Sequence, residues 1–147
     1  MAVVRNLTRG LVEDILDESG LRFFRDNDGD WIIRMSYDDE ANCEYDFYFI
    51  LGGKNHDILA LRGSSDRRVS KAKWPAAMFF CNEWNKDRRW PKACLSIGDV
   101  DAPFAKLSLE YDYDLEQGVT KEQLDDWITV FMFTSRDFWR WINTKDV

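Results

Sequence analysis

The chain has 147 residues, a length typical of one compact domain. Apolar residues make up 45% of it and charged residues 32%, so its composition is not that of an intrinsically disordered chain. The formal net charge of −7 argues against a generally basic nucleic-acid-binding protein. No uncharged apolar run approaches the roughly 18 residues that a membrane-spanning helix requires, so no membrane span is predicted.

The first part of the chain predicts one helix followed by four strands. Apolar residues recur at helical spacing from Thr8 to Ser19, with Thr8 as a candidate N-cap and Gly20 at the C-terminal cap. The apolar and alternating segments that follow predict strands at Leu21–Arg25, Trp31–Tyr37, Glu44–Leu51 and Ile58–Leu61.

The second part predicts a helix, two strands and a long final helix. Helix 2 covers roughly Trp74 to Asn85, because Pro75 is tolerated only in a first helical turn. Strands follow at Ala93–Ile97 and Lys106–Tyr113, and helix 3 runs from Thr120, which forms a capping box with Gln123, to about Asn143. This order predicts a single α+β domain over residues 1–147, with three helices on an antiparallel sheet of five to six strands.

The acidic segment Asp26–Asp30 could be read as a calcium loop or as a hairpin turn. With Gly29 as the sixth loop residue, the first and twelfth positions would be Phe24 and Met35, neither of which can bind calcium. An Asp-Gly pair between two apolar segments favours the hairpin.

Cysteine and histidine usage predicts neither a metal site nor a cofactor. Cys43, Cys81 and Cys94 are widely spaced and lie in or beside apolar segments, which is typical of buried structural thiols. His56 is the single histidine and lies in a predicted turn beside Asp57, so it cannot form a multi-histidine zinc site. A general-base role for His56 with a carboxylate stays open as the alternative of a small hydrolase-like enzyme.

Positive charge is concentrated between Arg62 and Lys92. That window holds nine bases and three acids, a net charge of +6, which leaves −13 on the rest of the chain. Such a surface could bind an acidic partner, although the same residues could simply be solvated charges. Tryptophans among the bases also allow single-stranded nucleic-acid binding, which the acidic remainder disfavours. The candidate partner-binding residues are Arg67, Arg68, Trp84, Arg88, Arg89 and Trp90.

Helix 2 is apolar around most of its circumference. A helix of this kind must be covered on all sides, either by the rest of its own chain or by a second copy. We therefore expect a homodimer, with burial inside a single chain as the alternative.

Several motifs in the second half of the chain occur together in one known family. Helix 2 ends in Phe-Cys-Asn-Glu-Trp-Asn, which contains Asn82 and Asn85; Trp-Pro-Lys-Ala then opens a strand, and Gly-Val-Thr starts the last helix at Gly118. This ordering resembles the YbjN-domain family, bacterial proteins described as putative sensory transduction regulators, from about Leu7 to Ile142.

The resemblance implies a fold similar to that of type III secretion chaperones, which often dimerise and hold partner polypeptides. It carries no catalytic residues over to this chain. For Asn82 and Asn85 it suggests hydrogen bonds that fix the turn after helix 2, with partner contact as a second possibility. We therefore expect a non-enzymatic, cytoplasmic protein-binding module, chaperone-like or regulatory, that acts on an unidentified protein through the aromatic and basic surface near helix 2.

Overall fold

The computed structural model describes residues 2–147, which form three helices and two sheets. Helix α1 covers Arg9–Glu18, α2 covers Trp74–Asp87 after a 3-10 turn at Lys71–Lys73, and α3 covers Lys121–Asn143. The strands are β1 Val4–Arg5, β2 Phe24–Arg25, β3 Trp31–Asp38, β4 Cys43–Gly52, β5 Ile58–Ser65, β6 Val69–Ser70, β7 Lys92–Ser96, β8 Phe104–Asp114 and β9 Val119–Thr120.

The main sheet is antiparallel at every described pairing. Its strands follow the order β2-β3-β4-β5-β8, with β7 on the free edge of β8 and the short β6 paired to the start of β8. The three predicted helices and six predicted strands are all present, so the α+β prediction is confirmed. Three of the four two-residue strands, β1, β6 and β9, were not predicted, because so short a segment has no readable period; the fourth, β2, is the end of the predicted strand Leu21–Arg25.

Alternation along β4 decides which face of the sheet carries the core. Every second residue of this strand is buried, and the residues between them are exposed or half-buried. Phe47 meets Phe131 of α3 edge to face, with ring centroids 6.0 Å apart, so α3 lies on the buried face. The buried side chains of β4 are Cys43, Tyr45, Phe47, Phe49 and Leu51.

Helices α1 and α3 begin where their sequences predict. The Thr8 hydroxyl accepts a hydrogen bond from the Leu11 amide at 3.1 Å, and the Thr120 hydroxyl accepts one from the Gln123 amide at 3.1 Å. Just before α3, Gly118 has a φ of 90°, and a Cβ there would lie 2.7 Å from Cγ1 of Val4. The pairing of β1 with β9 therefore requires glycine at this position.

The opposite face of the sheet carries one continuous row of paired side chains. In register, the row runs Phe24, Ile32, Tyr48, Arg62, Glu110 and Lys92 across six strands. The guanidinium of Arg62 also forms an ion pair with Asp112 at 2.5 Å. The charged residues of the row, Arg62, Glu110 and Lys92, are thus paired with one another and solvated. This is consistent with a sheet whose second face meets water.

Four tryptophans are buried, and they differ in how their indole nitrogens are satisfied. Nε1 of Trp31 donates to Glu13 at 3.0 Å, that of Trp74 to the Val69 carbonyl at 3.0 Å, and that of Trp84 to the Pro91 carbonyl at 2.9 Å. Within residues 2–147, Nε1 of Trp139 has no acceptor although the side chain is fully buried. A buried donor without a partner costs about 1–3 kcal/mol.

We expect Trp84→Phe to be more destabilising than Trp139→Phe by about 1–3 kcal/mol in the free energy of unfolding. The two substitutions remove the same atoms from the core, but only the first leaves a carbonyl, that of Pro91, without its donor. Urea denaturation of the two variants measures the difference. Equal losses would show that the Trp84 hydrogen bond contributes nothing to stability.

Candidate functional site

Helix α2 presents an exposed face that mixes apolar and polar side chains. Met78 is 48% exposed and Phe79 is 57% exposed, which is unusual for large apolar residues in a helix. Phe80 beside them is half-buried and meets Phe79 edge to face at 5.3 Å. We call this face the α2 surface; its exposed residues are Pro75, Met78, Phe79 and Asn82.

The bases near the start of α2 do not all point to solvent. The Arg67 guanidinium donates to the Ala41 carbonyl at 3.2 Å, to Oδ1 of Asn143 at 2.9 Å and to the Val147 carbonyl at 3.1 Å. Arg67 therefore joins the β3–β4 turn, the end of α3 and Val147, and its predicted part in a binding surface is replaced by a structural one. Arg68 is exposed, with its guanidinium 4.6 Å from the Phe104 ring.

At the other end of α2, one predicted residue lies in the core. Trp84 is 2% exposed and packs edge to face on Phe138 at 5.2 Å, so it cannot belong to a binding surface. Arg88 is exposed and lies 5.0 Å from the Trp84 ring, and Arg89 is exposed beside it. Trp90 is half-buried against Tyr111, with ring centroids 6.0 Å apart.

The predicted basic residues therefore form two clusters. With 14 residues, α2 is about 21 Å long, and its exposed bases lie at both ends with the α2 surface between them. At the N-terminal end these bases are Arg68 and Lys71, and at the C-terminal end they are Lys86, Arg88 and Arg89.

The two asparagines of α2 have different surroundings. The Asn85 side chain donates to the Ala93 carbonyl at 2.9 Å and accepts from the Ala93 amide at 2.8 Å. It therefore pairs with the backbone of β7 as a neighbouring strand would, and it holds the first residues of β7 against the end of α2. Asn82, one turn earlier, is exposed on the α2 surface.

A groove between α1, α3 and the sheet was not predicted from the sequence. Its volume is about 510 Å³. We call it the α1–α3 groove. Its walls are mostly apolar, and they include Ile15, Leu16, Met35, Phe47, Ile128 and Met132.

The polar groups of the α1–α3 groove are separated along α3. Asp125 lines it near the start of the helix, together with Glu18 from the end of α1, and Arg136 lines it eleven residues further on. The exposed ring of Phe133 lies under the Arg136 guanidinium, 4.9 Å from its centre. One end of the groove is therefore acidic and the other basic.

The β3–β4 turn is anchored to α3 by an ion pair near the basic end of the groove. Oδ2 of Asp38 accepts from Nε of Arg140 at 2.9 Å, and its Oδ1 accepts from the backbone amides of Glu40 and Ala41. Burial alone would raise the pKa of Asp38, but the Ala41 amide, Arg140 and the Glu40 amide outweigh it and hold the pKa below its ordinary value.

His56 does not meet a carboxylate partner in the structure. It is exposed in the β4–β5 turn, and its Nδ1 lies 3.3 Å from the Leu51 carbonyl. Among residues 2–147, no hydrogen bond or ion pair joins His56 to an acid, and His56 does not line the α1–α3 groove. The pairing that the hydrolase alternative requires is therefore not formed.

The buried cysteines and the acidic segment Asp26–Asp30 both have structural roles. Burial raises the pKa of the Cys43 thiol to about 11 and that of Cys81 to about 12, so neither is a thiolate near neutral pH. The carboxylates of Asp26, Asp28 and Asp30 lie within 4.8 Å of one another. Oδ1 of Asp26 accepts from the amides of the other two, which closes the β2–β3 hairpin turn that the sequence predicted.

Comparison with known families places this geometry in context. The family described as "YbjN: Putative bacterial sensory transduction regulator" matches residues 8–144, nearly the whole chain. The chain belongs to the YbjN family. Gly118 with its close approach to β1 and Asn85 with its pairing to Ala93 both lie in the motifs that suggested the family from sequence.

Two solved structures resemble this YbjN-family chain. The first is described as YbjN, a putative transcription regulator from E. coli; it is 17% identical, and the match covers 97% of this chain and 95% of that one with a TM-score of 0.76. The second is an uncharacterized protein from Methanothermobacter thermautotrophicus, 14% identical, covering 92% of this chain and 96% of that one with a TM-score of 0.49. The first likeness supports the fold.

No match was found among the curated proteins. In the part of the chain that the structure describes, no helix combines the length and apolarity needed to cross a membrane. The likeness to secretion chaperones stays a prediction.

We expect Asp38→Asn to lower the free energy of unfolding by about 1.5–3 kcal/mol near neutral pH, the usual contribution of a hydrogen bond to a charged group. Because the folded-state pKa is lowered, this contribution is fully present above about pH 5 and is lost as the pH falls through the folded pKa, below about 3.9. Thermal melts at several pH values should therefore show the variant and the parent converging in acid. Asp39→Asn, at the exposed neighbour, is the control, and a constant difference at every pH would contradict the assignment.

Proposed function

We propose that this YbjN-family chain is a non-enzymatic regulatory protein that binds an acidic partner protein through the α2 surface. The observation that carries the proposal is the exposed pair Met78 and Phe79, which lies between two clusters of bases. A cytoplasmic setting, which the family's description as a bacterial regulator favours, is part of the proposal.

The apolar part of the α2 surface has the chemistry of an interface centre. Methionine and aromatic residues are enriched in protein interfaces. Phe79 is more than half exposed, so a partner that covers it removes a large apolar area from water. Phe80 and Trp141 pack edge to face behind this pair, with ring centroids 6.1 Å apart, so the surface rests on a rigid base. A partner therefore needs at least one apolar side chain to cover Phe79.

The charges around the α2 surface indicate what else the partner carries. The exposed bases at the two ends of α2 are Arg68, Lys71, Lys86, Arg88 and Arg89. Arg62 and Lys92 do not belong to this rim, because both pair with Glu110 on the solvated face of the sheet. An acidic partner segment is attracted to this rim, and the attraction raises the association rate and orients the partner. We therefore expect complex formation to weaken as salt increases.

The same charges bear on the predicted homodimer. In a two-fold dimer that pairs α2 antiparallel with its copy, each basic end meets the other basic end, and like charges repel. The α2 surface therefore suits a different protein better than a second copy. Self-association stays a prediction, and it would have to use another face of the molecule.

Two other functions have less support from the geometry. Stacking of single-stranded nucleic acid would need exposed indoles among the bases, whereas Trp84 is in the core and Trp90 is half-buried. The E. coli relative is described as a putative transcription regulator, but that description names no contact that can be carried to this chain. The hydrolase alternative lacks a carboxylate that forms a hydrogen bond or ion pair with His56 among residues 2–147.

A photo-crosslinking experiment tests the proposal in bacterial cells. The photoreactive amino acid p-benzoylphenylalanine replaces Phe79 in one variant and Tyr37, which is 52% exposed on β3, in the other. We expect one discrete protein adduct at position 79 and none of the same mass at position 37. Mass spectrometry then identifies the partner and shows whether its crosslinked segment is acidic.

Charge reversal distinguishes specific binding at the α2 surface from non-specific association of the protein. Lys86→Glu with Arg89→Glu should reduce the adduct at position 79 by about tenfold, because it reverses the rim without disturbing the stacked Arg88. Arg22→Glu with Lys54→Glu makes the same change in net charge at exposed positions outside α2 and should leave the adduct unchanged. An equal effect of the two pairs, or an adduct with a nucleic acid or with a second copy in place of another protein, would overturn the proposal.

A further inference from the structure

The α1–α3 groove has the dimensions of a small-molecule site. Its volume of about 510 Å³ lies inside the range of about 300–1,000 Å³ in which such sites usually fall. On α3 it is lined from Asp125 to Arg136, and eleven residues of helix correspond to a length of about 16 Å. The groove is therefore long and narrow, the shape of an extended chain.

The walls of the groove suit an apolar ligand, because some of the side chains that form them can change conformation. Ile128 and Phe47 are buried beneath it, while Met35 and Met132 line it as half-buried side chains. Methionine has three rotatable bonds and a polarisable sulfur, so it adapts its shape to an occupant. Thr129 lies at the open side, where it is exposed.

The Arg136 guanidinium lies at the basic end of the groove, its side chain is 35% exposed, and one of its donors has no partner in the described part of the chain. Nε of Arg136 is buried, and among residues 2–147 it has no acceptor. Asp137 is the nearest described carboxylate, and it lies 3.6 Å from Nη2 of the guanidinium, too far for a strong hydrogen bond. A guanidinium presents its donors in a fork that matches a carboxylate.

Tyr45 adds a second polar group at this end. It is 4% exposed, and it lines the groove close to the Asp38–Arg140 ion pair. Its hydroxyl reaches Asp38 only at 3.4 Å, which leaves the hydroxyl free to reorient toward an occupant.

We propose that the α1–α3 groove binds a free amphiphile with a single carboxylate head and an unbranched apolar chain, the head on Arg136 and the chain along α3. Asp125 at the other end favours this direction, because it would repel the carboxylate of an amphiphile bound the opposite way round, whereas Glu18 beside it is ion-paired with Lys121. A regulator of this design would receive its signal in the groove, on a different face from the α2 surface.

Isothermal titration calorimetry with two probes of the same chain length tests the head group. We expect sodium decanoate, kept below its micelle-forming concentration, to bind once per chain, and decyltrimethylammonium to bind at least about tenfold more weakly. Arg136→Met, which keeps an unbranched apolar stem and removes the guanidinium donors, should weaken decanoate about tenfold and abolish the preference for the anion. Arg34→Met removes an arginine from the opposite face of the sheet and should change neither affinity.

A second variant tests the position of the apolar chain without touching the core. Thr129→Trp places an indole at the open side of the groove and should prevent decanoate binding, while circular dichroism confirms that the protein is folded. Arg136→Lys retains the charge and should preserve the preference for the anion. Three results would each overturn the proposal: equal affinity for the two probes, binding unaffected by Thr129→Trp, and binding to phosphatidylglycerol vesicles without binding to monomeric decanoate.

This inference does not depend on the proposed partner. The crosslink at position 79 and the decanoate titration report on surfaces that share no residues, so either can fail while the other succeeds.

Discussion

The alternation of side chains along β4 is the constraint on which the rest of the structure depends. All five residues at its odd-numbered positions are buried, and a shift of one residue in register would move each of them into water. Because β3 and β5 pair with β4 over most of its length, they inherit the same division between a helix-covered face and a solvated face. The helices have one apolar surface available to them, and α3 crosses it at Phe47.

The position of α3 determines where both proposed sites lie. On one flank, Phe138 of α3 meets Trp84 and holds α2 in place, so that the opposite side of α2 faces solvent. On the other flank, α3 runs beside α1 over the sheet, and the two helices leave the groove between them. Since α1 and α2 lie on different flanks of α3, a partner on α2 and a ligand in the groove would not compete for the same surface. The ligand would contact α3 directly, and the partner would contact it through α2.

Much of the fold could be predicted from the sequence because its signals are local. The alternating residues of β4, the capping threonine of α3 and the proline at the start of α2 each act within a few positions. The site was less predictable, because it depends on which side of an element faces the core. Trp84 lies in the last turn of α2 and Arg88 directly follows the helix, yet one is buried and the other exposed.

Residues far apart in sequence account for the other differences. Arg67 donates hydrogen bonds to the Ala41 carbonyl and to Oδ1 of Asn143, and no pattern in the sequence around Arg67 predicts those contacts. The groove combines side chains from α1, β3, β4 and α3, each of which looks like an ordinary core or surface residue in its own segment. By contrast, Asn85 was singled out from its motif, and the structure supplies the reason in its two hydrogen bonds to Ala93.

The polar atoms that the fold leaves without partners are concentrated in one part of α3. Among residues 2–147, the buried side-chain atoms with no hydrogen bond are Oγ of Ser135, Nε of Arg136 and Nε1 of Trp139, which lie within five consecutive residues. An apolar residue at any of these positions would avoid the cost of burying an unpaired donor. Natural sequences depart from such local rules mainly where function requires it, and of the three atoms only Nε of Arg136 belongs to a residue that lines an open cavity. The same short segment therefore lowers the stability of the fold and supplies the donor that a carboxylate in the groove would satisfy.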